Sequence, residues 1–123
     1  MSLMTKVALF VLCVAFTGGT ALADMGKTAA PLSVAAGSPA DMHNKEGIEH
    51  YNQSHWDVAK KHFTGAVEAD PKSAEAHYNL ALSLDKSGDH KAATEHFQKA
   101  LDLGKDKPEI ANSGILKAHL KMK

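Results

Sequence analysis

The chain has 123 residues and balances 14 lysines against 14 carboxylates, with no arginine anywhere. Bidentate contacts to phosphate or guanine rely on arginine, and no basic run takes its place, so a nucleic-acid partner and a basic membrane-surface patch are both excluded. Cys13 is the sole cysteine, which rules out an intramolecular disulfide and any multi-thiolate metal site.

At the start, Lys6 precedes the apolar stretch Val7 to Phe16, Gly18 and Gly19 break that stretch, and Ala21-Leu22-Ala23 has the form of a cleavage site. These features predict a signal peptide over residues 1–23, export to a bacterial periplasm, and a mature chain starting at Asp24. An uncleaved anchor would need roughly 20 apolar residues, so no stable membrane insertion is expected after cleavage. Cys13 would leave with the signal. Residues 24–39, "DMGKTAAPLSVAAGSP", mix Ala, Gly, Ser and Pro without a sustained apolar period and are expected to form a flexible leader, with order starting near Ala40.

From Ala40 the chain repeats itself. Ala59, Phe63 and Ala66 recur as Ala93, Phe97 and Ala100, and Ser54 falls on Gly88. Each unit, residues 40–73 and 74–107, reads as two helices. In the second, Leu80, Ala81 and Leu84 form one apolar stripe, while Ala93, Phe97, Ala100 and Leu101 form another. Gly88 permits the turn between them and Asp89 is placed to cap the second helix. In the first unit, Pro71 ends the second helix at Asp70. Alanines let antiparallel helices approach closely, and the phenylalanine fills the space toward the next unit. One helix pair cannot bury such a face alone, so the pairs must stack. Residues 108–123 are expected to form one further helix, opened by Pro108 and striped by Ala111, Ile115, Ala118 and Met122, that covers the exposed side of the second unit.

This period and its small–aromatic–small residues resemble the tetratricopeptide repeat, and "AEAHYNLALSLDKSGDHKAATEHFQKAL" follows the family pattern over its whole length. The resemblance implies an all-α fold: two helix-turn-helix repeats plus a C-terminal capping helix, a fragment of an α-solenoid. The first helix of unit one departs from the pattern, with His43 and Glu46 where large apolar residues are preferred. The resemblance further implies an adaptor or scaffold for a protein or peptide, held in a groove lined by the first helix of each repeat. Its contact positions here are Asn44, Ile48, Tyr51, Asn52, Tyr78, Asn79, Leu82 and Asp85. Asn79 matches a position whose asparagine, in many members, fixes a bound backbone by two hydrogen bonds. Ile48 stands where the family's carboxylate clamp has asparagine, and Glu109 and Ser113 stand where it has basic residues, so a chaperone's C-terminal carboxylate is not the expected ligand.

Eight histidines raise a second reading, a metal- or haem-handling periplasmic protein. His43 and His50 are seven residues apart, as are His55 and His62, but no H-E-x-x-H pair or C-x-x-C-H signature occurs. The histidines are therefore read as surface residues, with no metal site and no cofactor. A third reading is a homo-oligomer whose groove is filled by a second copy. No serine sits in a nucleophile-elbow context and the carboxylates are spread among lysines, so an enzyme is not expected.

Overall fold

The computed structural model describes residues 29–122. The expected signal peptide, residues 1–23, lies outside the described residues, as does the start of the leader. Six helices follow in order: α1 Asp41–Asn52, α2 Trp56–Ala69, α3 Ala74–Lys86, α4 His90–Leu103, α5 Pro108–Ala111 and α6 Gly114–Leu120. There is no strand among the described residues, and none of their helices is long and apolar enough to cross a membrane.

Local chemistry sets the boundaries. The Ser73 hydroxyl accepts the Ala76 N–H at 3.1 Å and starts α3, and the Asp89 carboxylate accepts the Ala92 N–H at 3.1 Å and starts α4. Gly88 makes the α3–α4 turn with φ +91°. Ser54, its counterpart in the first unit, adopts φ +63° without glycine's freedom.

The helices pack as hairpins, α1 with α2 and α3 with α4, while α2 lies against α3 and α6 closes the far side of α4. Ala59, Phe63, Ala66, Ala93, Phe97 and Ala100 are all completely buried. The Tyr78 ring meets Phe97 edge-on, with centroids 5.6 Å apart, and Tyr51 meets Trp56 in the same way at 4.9 Å. Gly47 makes the closest approach, because a Cβ added there would lie 2.5 Å from the Phe63 ring.

Two expectations need correction. Residues 108–123 do not form one helix: the chain breaks at Asn112–Ser113 into α5 and α6. Ser113 caps α6 by accepting the Leu116 N–H at 3.4 Å, and its hydroxyl also pairs with the Tyr78 hydroxyl at 2.7 Å. The break turns Ile110 and Leu116 inward, both fully buried, and leaves Ala118 and Met122 exposed. The leader, expected to be flexible, is packed from Ala29 onward. Leu32 and Val34 are partly buried against the helices while Ser33 between them is exposed, the period-two alternation of an extended segment with one face inward. A turn at residues 35–38 then leads into α1, where the Asp41 carboxylate accepts the Gly37 N–H at 2.9 Å.

In an exposed helix, replacing glycine by alanine stabilises by roughly 0.5–1 kcal/mol. At Gly47 the sign should reverse, because the added methyl collides with the Phe63 ring. We expect Gly47→Ala to lower the midpoint of urea unfolding monitored by circular dichroism, and Phe97→Ala to cost about 3–5 kcal/mol. An unchanged or raised midpoint for Gly47→Ala would contradict this packing.

Candidate peptide-binding site

The first helices of the two repeats, α1 and α3, each contribute an asparagine to a polar pair inside the protein. Asn44 and Asn79 are 1% and 0% exposed. A buried amide must find partners for its N–H and C=O groups, and both find them on the leader. The Asn79 side chain accepts the Leu32 N–H through Oδ1 at 2.7 Å and donates from Nδ2 to the Leu32 carbonyl at 2.7 Å. Its other Nδ2 hydrogen goes to Asn44 Oδ1 at 2.7 Å, and Asn44 Nδ2 donates to the same Leu32 carbonyl at 3.0 Å. Two side chains thus satisfy both backbone polar groups of one residue.

The expected groove residues divide around this clamp. Asn44 and Asn79 form it. Ile48 is partly buried beside it, and Asn52 is exposed at the end of α1. Tyr51, Tyr78 and Leu82 do not line an open aromatic surface; at 8%, 3% and 1% exposure they belong to the core, covered by the leader and by α5–α6. Burial, with smaller contributions from Tyr78 and Asp85, pushes the Tyr51 hydroxyl up to about 12, and burial also raises that of Tyr78. Asp85, expected to face a ligand, instead accepts hydrogen bonds from His90 and His119. The sequence reading overlooked Leu32 and the pairing of Ser113 with Tyr78. Leu32 and Val34 form an alternating apolar pair within the Ala-Gly-Ser-Pro leader, and that alternation was the available signal.

Of the histidines, expected at the surface, only His77 is buried, but they are grouped rather than scattered. Each of the eight has another histidine ring with its centroid within 6.3 Å. His77 and His96 stack across α3 and α4, with their Nδ1 atoms 3.1 Å apart and His77 Nε2 donating to the Pro71 carbonyl at 2.8 Å. Two Nδ1 atoms at that distance need one to carry a hydrogen and the other a lone pair, so at most one of the two rings can be protonated on both nitrogens.

Two measurements follow from this geometry. Truncating the clamp by Asn79→Ala leaves the Leu32 N–H and the Asn44 Oδ1 unpaired and should cost about 1–3 kcal/mol in urea unfolding, against about 0.5–1.5 kcal/mol for Tyr78→Phe; a neutral Asn79→Ala would show that the clamp contributes nothing. Burial, followed for His96 by the neighbouring His77, lowers both histidine pKa values below the ordinary 6.5. The unfolded chain therefore takes up protons first, and this part of the stability, fully present above 6.5, is lost as pH falls through 6.5 toward the depressed values. Unfolding midpoints between pH 7.5 and 5.5 should fall on acidification, and His96→Gln should flatten the fall.

The model of the tetratricopeptide repeat matches residues 44–108, more than half of the chain. A search of curated proteins finds no match. Repeats of this family mediate protein–protein interaction in general and are typically non-catalytic. The matched segment runs from the first clamp asparagine through both helical hairpins to the start of α5, and the chain belongs to the tetratricopeptide repeat family.

Proposed function

We propose that this chain is an exported, periplasmic adaptor that captures an extended protein segment by its backbone in the α1/α3 groove. The observation that carries the proposal is the pairing of Asn79 with both the N–H and the carbonyl of Leu32. An amide that pairs with a peptide's own N–H and C=O accepts almost any residue in the chain it holds, and the side chain of that residue adds selectivity. The leader then acts as a resident segment that a partner must replace. Because the leader is tethered, it competes at the millimolar effective concentration typical of short linkers. The signal-like residues 1–23 support export, and the adaptor itself performs no catalytic step.

The test expels the leader without truncating the chain. Leu32→Asp places a charge at the partly buried position of Leu32 and should free the groove. A labelled peptide of Ala29–Ala36 should then bind Leu32→Asp at least tenfold more tightly than the unaltered protein, about 1.4 kcal/mol. Adding Asn79→Ala to Leu32→Asp should abolish that gain. Equal binding by all three proteins, with helical content unchanged, would overturn the proposal.

A further inference from the structure

Asp85 at the end of α3, His90 at the start of α4 and His119 on α6 converge although 34 residues separate the first from the last. His90 Nδ1 lies 2.7 Å and His119 Nε2 2.9 Å from the same Asp85 Oδ1, and the three potential donor atoms lie within 4.8 Å of one another. Further hydrogen bonds tie the group to its surroundings. Thr94 Oγ1 is 2.8 Å from the His90 carbonyl, which can only accept, so the Thr94 hydrogen is directed there. Thr94 Oγ1 also lies 2.9 Å from His119 Nδ1, the ring nitrogen on the side away from Asp85. Both nitrogens of His119 are thereby engaged, Nδ1 by Thr94 and Nε2 by Asp85.

We infer that Asp85, His90 and His119 form a binding site for a divalent late transition metal ion, of which zinc is the reference case. Two imidazoles and one carboxylate suit such an ion, with bonds of about 2.0–2.2 Å that leave a further position for water. Seating it requires the present contacts to open by about half an ångström. Thr94 already holds the outer nitrogen of His119, as an outer partner does for a metal-bound histidine. His119 and Asp85 are largely shielded, with side chains 14% and 19% exposed, whereas His90 at 69% can swing to admit the ion. The other histidine groups are weaker candidates: His77 and His96 pair with each other and His77 with the Pro71 carbonyl, and the His43–Glu46–His62 group is mostly exposed. An ion at Asp85 would join the end of α3 to the cap helix and hold α6 in place.

The test adds zinc chloride to the full chain and follows the ring nitrogens by 15N NMR, alongside the melting temperature. We expect His90 Nδ1 and His119 Nε2 to move to metal-bound shifts at one ion per site, and the melting temperature to rise by about 10 °C at a hundredfold excess over Kd. His90→Ala, at an exposed position that does not threaten the fold, and Asp85→Asn should each weaken binding at this site at least tenfold. The double variant His43→Ala with His62→Ala should retain it. The proposal is overturned if the two nitrogens respond only to protons at saturating zinc, if His90→Ala binds as tightly as the unaltered chain, or if binding vanishes only in the His43 and His62 variant.

Discussion

Phe63 and Phe97 can be swallowed whole only because the neighbouring positions are small. Gly47 lets the Phe63 ring lie where any Cβ would collide, and Ala59, Ala66, Ala93 and Ala100 carry no more than a methyl group into the contacts. With helices held at that distance, Asn44 of α1 comes within 2.7 Å of Asn79 of α3. The polar clamp is thus a product of apolar packing. Were the helices farther apart, the two amides could not share one carbonyl.

The clamp also alters what the groove is. An open α1/α3 face would have left Tyr51, Tyr78 and Leu82 partly in water. Instead the leader covers one side, and the broken cap supplies Ser113 to the Tyr78 hydroxyl on the other. Arrays of this kind normally need about three repeats to bury a continuous core. Here a strap of about ten residues and two short helices supply the missing surface for two repeats.

The helices were legible because their signals are local and periodic: alanines and phenylalanines at fixed spacing, Asp89 before a helix, Gly88 in a turn. The position of Asn79 in the family pattern was legible for the same reason. Its partner was not, since Leu32 is 47 residues away and lies in a segment whose composition suggests a linker. The break at Ser113 was hidden because Ala111, Ile115, Ala118 and Met122 suit one continuous helix, and only the position of Tyr78 on another element rewards interrupting it. The histidines misled in the same way. Their meaning depends on pairs drawn from different helices, such as His90 with His119, which spacing along one helix cannot express.

The serine at the first turn has a further consequence. Ser54 holds a left-handed backbone that glycine adopts freely at the equivalent Gly88, and α1 before it starts with no side-chain cap. The first hairpin therefore carries strain at its turn and an unsecured end, whereas α3 has ten buried residues and a capping serine. Local unfolding follows such differences. Amide exchange should be fastest in α1 and slowest in α3, so the cooperative centre of the molecule lies off its middle, toward the second repeat. Leu32 is held by one asparagine from each region. Releasing the strap would loosen the side already poised to open, so capture of a segment and the breathing of α1 draw on a single local equilibrium.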